Sequence, residues 1–264
     1  MKQCSQNGLV YFQFEGLEGN GRTQHAVFSR QGGVSGAPFA SLNLSVSVAD
    51  NPANVFANRQ QAYGLVGRTN ETAVHAHLVH GNSVVRVTQA NNGEYAPRVD
   101  GLITNEPGCA LTMNYADCTP IFLYDPAHEA IGLGHAGWKG AVYDLPGAMV
   151  RAMQRDFGSN PADCWAGIGP CICLAQYEVD EPLVSEVKVA FDDWPDLLVR
   201  PNGKKNGRYH FNLEEANRRN LLNAGVQNIE LSGFCTAVRT DLFFSHRGEK
   251  GKTGRFGTIF VLDG

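Results

Sequence analysis

Short apolar segments recur along this chain, and they constrain its fold more than any other feature of the sequence. Segments of about five or six residues, bounded by polar and turn-forming residues, are typical of buried β-strands. Eight of them are predicted to be strands, at residues 74–79, 83–88, 109–113, 120–124, 130–134, 164–168, 229–233 and 257–262. Short loops join the first strand to the second and the fourth to the fifth, so we expect both pairs to be antiparallel.

Capping residues that precede apolar positions at helical spacing indicate where helices begin. Asn51, Asp180 and Asn212 each precede such a segment, and Asn212 together with Glu215 has the pattern of a capping box. Residues 145–157 are predicted to form a further helix, because their apolar side chains fall on one stripe. Four helices are therefore expected between the strands.

The order of these elements predicts the fold class. Strands and helices interleave without a regular βαβ rhythm, which predicts one α+β catalytic domain, residues 1–264, of mixed, largely antiparallel β-sheets layered with α-helices. A hydrophobic fraction of 43% is ample for the core of such a domain. No apolar run reaches the roughly 18 residues of a membrane helix, and the N-terminus lacks the pattern of a signal peptide. We therefore expect a cytoplasmic protein with no membrane partner.

Cysteine usage points to the same compartment. The chain has seven cysteines, an odd number, and they are scattered along its length. Disulfide frameworks are typical of small secreted domains with an even number of cysteines. The sequence therefore predicts reduced thiols.

Positive charge is concentrated towards the C-terminus. Residues 200–255 contain eleven Lys and Arg against five Asp and Glu, although the net charge of the whole chain is −4. Such a segment is either an ordinary solvated surface or a basic rim that attracts an anion such as phosphate. Because the chain as a whole is acidic and carries no binding motif, we expect no nucleic-acid partner.

Three residues with metal-binding side chains interrupt the apolar segments. They are His80 in HLVHGNSV, Cys118 in NYADCTPIFLYD and His135 in GLGHAGWKGAV. Cysteine and histidine bind zinc, and three protein ligands would leave a fourth position for water or substrate. The separations of 38 and 17 residues exceed those of compact zinc modules. From the residues alone, a metal site, a Cys-His nucleophile pair and a structural role all remain open.

Two other polar groups are weaker candidates for a site. His75 and His77 share one face of a predicted strand, and such a pair is more often packed or exposed than metal-binding. Near the C-terminus, Ser245, Arg247 and Arg255 lie among aromatic residues and glycines. These polar groups either converge on an anion or form the charged tip of a hairpin.

Ten motifs, in order along almost the whole chain, resemble the family known as "laccase domain" proteins or multicopper polyphenol oxidases. That family is now associated with purine nucleoside phosphorylase activity, and some of its bacterial members with peptidoglycan editing. The motifs are FSRQGGVSGAPFASLNLS (28–45), ANRQ (57–60), LVHG (78–81), DGLIT (100–104), ADCTPIFLYD (116–125), GHAGWKG (134–140), GIGPCI (167–172), YEVDE (177–181), FCT (234–236) and FFSHR…TGR (243–255).

The resemblance implies that His80, Cys118 and His135 are zinc ligands. It also implies a layered α+β fold and a monomer or weak homo-oligomer. The sequence departs from the usual family residues at three positions, with Leu78 where Gln is common, Lys139 where Arg is usual and His246 where Tyr is usual. None of these departures removes a ligand, but a lysine cannot make the bidentate contact of an arginine with phosphate.

The function implied first is that of a zinc-dependent purine nucleoside enzyme with a nucleoside and phosphate as its small-molecule partners. It would convert adenosine, inosine and S-methyl-5′-thioadenosine to the base and (methylthio)ribose 1-phosphate, and would also deaminate adenosine. Cys118 is then a catalytic residue as well as a ligand, and Asp117 is the predicted proton carrier. The predicted phosphate or ribose contacts are Ser41, Asn43, Arg59, Arg247 and Arg255.

Two alternatives remain at this stage. An amidase that removes a wrong amino acid such as L-Ser from a UDP-MurNAc precursor would use the same zinc ligands or Cys118 as nucleophile. A copper-dependent polyphenol oxidase is disfavoured, because a site with three or four coppers needs many histidines and the chain has eight, with a single H-x-H pair. Copper could still bind the three ligands adventitiously.

Overall fold

The fold consists of two large β-sheets, a small third sheet and five α-helices. The computed structural model describes residues 1–19, 21–200 and 208–263. The strands within these residues are β1 (Lys2–Gln6), β2 (Leu9–Gln13), β3 (Thr23–Phe28), β4 (Ala73–Ala76), β5 (Val84–Arg86), β6 (Tyr95–Ala96), β7 (Gly101–Thr104), β8 (Ala110–Tyr115), β9 (Thr119–Asp125), β10 (Ala130–Ala136), β11 (Trp165–Ile168), β12 (Glu178–Val179), β13 (Leu198–Val199), β14 (Tyr209–Phe211), β15 (Asn228–Leu231) and β16 (Phe256–Leu262). The helices are α1 (Pro52–Gly64), α2 (Trp138–Val142), α3 (Leu145–Phe157), α4 (Glu181–Ala190) and α5 (Leu213–Asn223).

The two large sheets stack on each other. The first has the strand order β1-β2-β3-β16-β8-β4-β6, and the second has the order β15-β11-β9-β10-β7-β5. The core between them is rich in aromatic side chains from both sheets, including Phe12, Tyr115, Phe122, Trp165 and Phe260. Both sheets contain parallel and antiparallel pairs. The predicted α+β fold with mixed sheets and helices is therefore confirmed.

Helices cover the outer faces of the stacked sheets. Ala62 and Tyr63 of α1 pack on the first sheet, and Met149 of α3 and Leu221 of α5 pack on the second. The third sheet, in the order β12-β14-β13, packs with α4 beside α2 and the start of α5. No helix in the described part of the chain is long and apolar enough to span a membrane.

The predicted helix starts agree with the structure. The side chains of Asn51, Asp180 and Asn212 each accept a hydrogen bond from a backbone amide in the first turn of α1, α4 and α5, respectively. Residues 145–157 form α3, as predicted. Only half of the predicted capping box forms, because the Glu215 carboxylate pairs with arginines of its own helix.

One of the two predicted hairpins is confirmed and the other is wrong. β9 and β10 form an antiparallel pair. β4, by contrast, pairs in parallel with β8 of the first sheet, and β5 pairs in parallel with β7 of the second. The connection between β4 and β5 bends from one sheet to the other at His80, whose φ is 59°. Three amides at this bend bind the Asp100 carboxylate, so they cannot join a strand ladder.

The expectation that every cysteine is reduced is wrong at one pair. Cys173 and Cys235 form a disulfide, with their Cα atoms 5.1 Å apart. The residues next to them bring the two segments together, because Cys171 forms a β-bridge with Cys235 and the Thr236 amide donates to the Cys171 carbonyl. The other five cysteines are free.

Candidate functional site

A cleft of about 1430 Å³ lies where β4, β8 and β10 end, beside the three candidate ligands. Residues from α1, from the bend after β4, from the β8–β9 turn and from the end of β10 line it, together with the segment before β16. Its volume exceeds the roughly 300–1,000 Å³ that is common for small-molecule sites. The cleft is therefore large enough for a ligand in several parts.

His80, Cys118 and His135 meet in this cleft. One potential ligand atom of each residue lies within 4.8 Å of the other two. Cys118 occupies the turn between β8 and β9, and the antiparallel register places His135 opposite Pro120, two residues further along. The left-handed backbone at His80 turns the chain so that its ring lies nearly perpendicular to that of His135, with 4.9 Å between centroids.

Asp100 orients the two histidines. Nδ1 of His135 donates to Oδ1 of Asp100 at 3.0 Å, so in the neutral ring the lone pair lies on Nε2, the atom that can bind a metal. The same carboxylate accepts hydrogen bonds from the amides of Val79, His80 and Gly81. A single buried carboxylate thus fixes the tautomer of one histidine and the backbone of the other.

The electrostatics of the three residues favour a thiolate. Burial raises the pKa of the Cys118 thiol, but the charge and hydrogen bond of His135, and then those of His80, outweigh burial and lower that pKa to about 6. Burial lowers the pKa of His135, whereas Cys118 and Asp100 together raise it to about 9. A thiolate is the form of cysteine that binds metals and attacks electrophiles.

The three residues are suited to hold a metal ion. A thiolate and two imidazoles form a donor set that zinc favours, and tetrahedral zinc spaces such ligand atoms about 3.5 Å apart. The three potential ligand atoms all lie within 4.8 Å of one another, so shifts of about 1 Å would bring them to this spacing. A Cβ atom at Gly137 would lie 2.9 Å from Sγ of Cys118, so only glycine leaves room around the sulfur. Asp100 supplies the carboxylate that commonly supports a metal-binding histidine.

The cleft is strongly positive. Its lining includes five cationic residues and a single acidic residue, Asp117, although the whole chain has a net charge of −4. The cations are Arg59, Arg98, Lys139, Arg247 and Arg255. Only Arg247 and Arg255 belong to the basic segment 200–255. Lys204 and Lys205 of that segment lie outside the described residues. A cleft with this charge attracts anions.

Two of the predicted phosphate or ribose contacts do not line the cleft. Asn43 is fully buried, and its Oδ1 accepts hydrogen bonds from the amides of Ser45 and Arg255. The Ser41 hydroxyl accepts from the Gly33 amide and donates to a backbone carbonyl. Their hydrogen bonds shape the loop that precedes α1 and hold the backbone of Arg255.

The predicted proton carrier Asp117 lines the cleft, but protein donors surround its carboxylate. Oδ1 accepts from the hydroxyls of Thr236 and Ser245 at 2.6 and 2.7 Å, and Oδ2 accepts from the Arg247 amide at 2.6 Å. The residue itself has a φ of 90°. These contacts fix the turn that presents Cys118 and connect it to the segment before β16.

Several residues of the site were not identified from the sequence. Asp100 lies in the DGLIT motif, but only the folded structure brings it next to the histidines. Tyr177 lines the cleft, and the centre of its ring lies 5.3 Å from the Arg247 guanidinium. Burial raises the pKa of the Tyr177 hydroxyl, and the charge of Cys118 raises it further. The cleft is also lined by the three residues at which the sequence departs from the usual family residues, Leu78, Lys139 and His246.

Comparison with known proteins identifies the family of this chain. A family model described as multi-copper polyphenol oxidoreductase laccase matches residues 24–263. A protein of Bacillus subtilis (strain 168) named purine nucleoside phosphorylase YlmD is 38% identical over 236 residues, which cover 86% of this chain and 84% of that protein. A purine nucleoside phosphorylase of Bacteroides thetaiotaomicron is 34% identical over 256 residues, 92% of each chain.

Solved structures show the same architecture. YlmD from Geobacillus stearothermophilus matches with a TM-score of 0.91 at 33% identity, over 99% of this chain and 98% of that one. The Bacillus licheniformis protein YfiH matches with a TM-score of 0.89 at 31% identity, over 98% and 97% of the two chains. The resemblance inferred from the ten motifs is thereby confirmed, and the chain belongs to the multi-copper polyphenol oxidoreductase laccase family.

Proposed function

We propose that the protein is a zinc-dependent purine nucleoside phosphorylase. Its substrates would be adenosine, inosine and S-methyl-5′-thioadenosine, and its products the free base and (methylthio)ribose 1-phosphate. The observation that carries this proposal is a positive cleft with three metal-binding side chains on its wall. The names of the relatives, which are purine nucleoside phosphorylases, support the same reaction.

Arginines would bind the attacking phosphate. Arg255 is half-buried and lines the cleft; burial lowers the pKa of its guanidinium, while the charges of Cys118 and Asp117 raise it. Arg247 reaches the same cleft and is held by the carbonyls of Gln176 and Glu178. Two guanidinium groups suit a phosphate dianion, because each can donate two hydrogen bonds to it.

The reaction joins a phosphate oxygen to C1′ of the ribose while the bond from C1′ to the purine nitrogen breaks. The bonding electron pair leaves with the purine, whose nitrogen gains the proton that the attacking hydrogen phosphate loses. The arginines hold the dianion against a ribosyl group that gains positive charge in the transition state. Zinc bound by His80, Cys118 and His135 would supply a Lewis acid able to polarise an oxygen or lower the pKa of a bound water. Adenosine deamination, which needs an activated water, is proposed at the same site.

Asp117 and Cys118 have separate tasks in this proposal. Cys118 binds the metal as a thiolate. Asp117 was predicted to carry the proton, but its three protein donors favour a positioning role for its carboxylate. Ser41 and Asn43 would act on the substrate only indirectly, through the loop and through the backbone of Arg255.

An amidase activity and a copper oxidase activity are the alternatives to phosphorolysis. The volume of the cleft would also accommodate a nucleotide-sugar, which keeps the amidase acting on UDP-MurNAc-L-Ser as the second candidate. A multicopper oxidase is disfavoured, because the described residues contain a single group of His, Cys, Asp and Glu that could hold a metal. Copper in that group would be adventitious.

Phosphate-dependent release of hypoxanthine from inosine tests the proposal, with hydrolysis of UDP-MurNAc-L-Ser measured alongside. We expect base release only when phosphate is added, and a rate at least about a hundredfold lower for Cys118→Ala. Cys4→Ala, which changes a free cysteine outside the cleft, is the matched control and should retain the rate. Release of serine without any release of base would overturn the phosphorylase proposal in favour of the amidase.

A further inference from the structure

Both arginines that are proposed to bind phosphate belong to one loop, residues 245–255, which we call the arginine loop. Its residues form turns rather than a helix or a strand, and its backbone is left-handed at Lys250 and Gly251, with φ values of 54° and 81°. Arg247 lies before this turn, and Arg255 lies after it, directly before β16. Because no strand ladder holds the loop, side-chain contacts are needed to fix the two guanidinium groups relative to each other.

The carboxylate of Glu249 closes the arginine loop. Its Oε2 accepts hydrogen bonds from the Ser245 amide at 3.1 Å and from the Thr253 hydroxyl. Ser245 begins the loop and Thr253 lies near its end, so one oxygen atom joins the two arms. Glu249 itself lies outside the residues that line the cleft. Any effect of this residue on a ligand in the cleft therefore passes through the loop.

The other carboxylate oxygen of Glu249 is held by Arg30. Oε1 accepts from Nη1 of Arg30 at 2.9 Å, and the two side chains are only 21% and 15% exposed. The Arg30 guanidinium also donates to the carbonyls of Ala40 and Thr240 and lies over the Phe244 ring, 4.3 Å from its centroid. An ion pair that is largely shielded from water and anchored on one side in this way gives Glu249 a fixed position.

The first arm of the loop connects Glu249 to the backbone of Arg247. Ser245, whose amide binds Glu249, donates its hydroxyl to Oδ1 of Asp117 at 2.7 Å. The Arg247 amide donates to Oδ2 of the same Asp117 carboxylate at 2.6 Å. Ser245 is thus held from both sides, and this fixes the backbone of Arg247 beside the turn that carries Cys118.

The second arm connects Glu249 to the guanidinium group of Arg255. Thr253, whose hydroxyl binds Glu249, accepts a hydrogen bond at its carbonyl from Nη1 of Arg255 at 3.2 Å. The Gly254 carbonyl accepts from the same nitrogen at 2.9 Å. Neither Nε nor Nη2 of Arg255 is hydrogen-bonded to another residue that the structure describes, so both can donate to a ligand.

We propose that Glu249 is a positioning residue for the attacking phosphate. It touches neither substrate, and it sets the separation of the Arg247 and Arg255 guanidinium groups by holding both arms of their loop. This role rests on the proposed phosphorylase function, in which these two arginines bind phosphate. An anion that must contact two groups at once is sensitive to a small shift of either, and a misplacement of about 1 Å can cost about a hundredfold in rate.

Substitution of Glu249 tests this role through the affinity for inorganic phosphate, measured by titration calorimetry, and through the KM values for phosphate and inosine. Glu249→Ala removes the acceptor of Ser245, Thr253 and Arg30. We expect its phosphate affinity to fall about tenfold and its KM for phosphate to rise equally, with a change of less than about twofold in the KM for inosine. Glu249→Gln keeps an oxygen for Ser245 and Thr253 but loses the charge that faces Arg30, so its phosphate affinity should fall about threefold.

Glu230→Ala is the matched control. The Glu230 carboxylate also holds a loop, by accepting from the Glu15 and Gly16 amides at 3.0 and 2.8 Å, and it lies outside the cleft lining. This variant should bind phosphate as the wild-type protein does. An equal loss in Glu230→Ala and Glu249→Ala would mean that the effect is a general one on the fold.

Two further results would overturn the positioning role. One is a folded Glu249→Ala protein with the phosphate affinity of the wild type, and the other is an equal rise in both KM values. If Glu249→Ala does not fold, Glu249→Gln decides, and an unchanged phosphate affinity in that variant overturns the role. Phosphate binding without phosphate-dependent base release would refute the phosphorylase function alone, because the effect of Glu249 on phosphate affinity would still be measured.

Discussion

Asp100 is the residue on which the geometry of the candidate metal centre most depends. It binds Nδ1 of His135 and three successive amides around His80, so its charge serves two of the three ligands at once. The pKa of its carboxyl is lowered even though burial opposes this, because His135 and the amides stabilise the ionised form. An ionised Asp100 in turn makes the imidazole of His135 a better donor to a metal.

Replacing Asp100 with Asn should weaken metal binding without unfolding the protein. The side-chain oxygen of Asn can still accept hydrogen bonds from His135 and from the His80 amide, but it lacks the charge that polarises the ring. The NH2 group that replaces Oδ2 can no longer accept from the two neighbouring amides, which loosens the bend at His80. We expect the zinc affinity to fall about 10- to 100-fold, as is typical when such a supporting carboxylate is changed. Competition with a chromogenic chelator measures this affinity.

Asp125→Asn is the matched control for this variant. Asp125 is also a fully buried carboxylate that binds a histidine, at 2.8 Å from Nδ1 of His128, but it lies outside the cleft. Its substitution should leave zinc affinity unchanged. Equal effects of the two substitutions would mean that Asp100 has no special part in metal binding.

At the residue scale, the sequence predicts the three candidate ligands but not Asp100, the residue that orients two of them. His80, Cys118 and His135 stand out because they are metal-binding residue types within or beside apolar strands. Asp100 lies 35 residues from His135, and their contact exists only because β7 and β10 are paired in one register. Asn43 illustrates the opposite error, since a polar side chain in a family motif is buried in a backbone network. Local sequence does not reveal such partners.

Among the elements, β3 carries a buried histidine that no ion pair within residues 1–19, 21–200 and 208–263 stabilises. Nε2 of His25 accepts a hydrogen bond from the Phe14 amide at 2.7 Å, and the ring packs against Phe122 and Phe260 in the core between the sheets. Burial lowers the pKa of this histidine from 6.5 to about 4. The folded protein therefore holds His25 neutral at pH values where the unfolded chain would protonate it.

This histidine should make the protein less stable in mild acid. Because the pKa is lower in the folded state, the free energy of unfolding is unaffected above about pH 6.5, falls as the pH drops below that value, and levels off below about pH 4. The expected loss is about 3 kcal/mol. His25→Gln keeps an acceptor for the Phe14 amide but does not titrate. Urea unfolding of both proteins between pH 7 and pH 4 measures the difference.

Comparison with the variant isolates His25 from the other buried histidines, His75 and His135. His75 also has a pKa lowered by burial, to about 3, but it is present in both proteins and its contribution cancels. The stability of the wild-type protein relative to His25→Gln should decline steadily over this range. Parallel profiles would show that His25 does not titrate as its burial predicts.

The distance along the chain between interacting residues explains which elements can be predicted from the sequence. Helix starts depend on a cap and the next turn, so Asn51, Asp180 and Asn212 identify them locally. β1 was missed because its side chains are largely exposed and form no apolar run. The order of strands depends on distant partners: β16 pairs with β3, more than 200 residues away in the chain. Adjacent segments therefore suggested a hairpin where β4 and β5 belong to different sheets.

Across the whole molecule, the Cys173–Cys235 disulfide connects two parts of the cleft wall. One partner lies just after β11, where the Ile172 amide donates to the Asp117 carbonyl and its side chain lines the cleft. The other partner precedes Thr236, whose hydroxyl binds the Asp117 carboxylate. Both segments that the disulfide joins therefore donate hydrogen bonds to Asp117, the residue before Cys118. The disulfide therefore stabilises both the fold and the turn that carries Cys118.

Reduction of this disulfide should destabilise the protein measurably. The bond joins residues 62 positions apart, and releasing a loop of this length increases the entropy of the unfolded chain. We expect the free energy of unfolding to fall by about 4 kcal/mol. Urea unfolding with and without dithiothreitol measures this change. The double variant Cys173→Ser/Cys235→Ser should resemble the reduced wild-type protein and show no response to reductant. A wild-type protein whose unfolding midpoint is the same in both buffers would mean that the two thiols are not joined in solution.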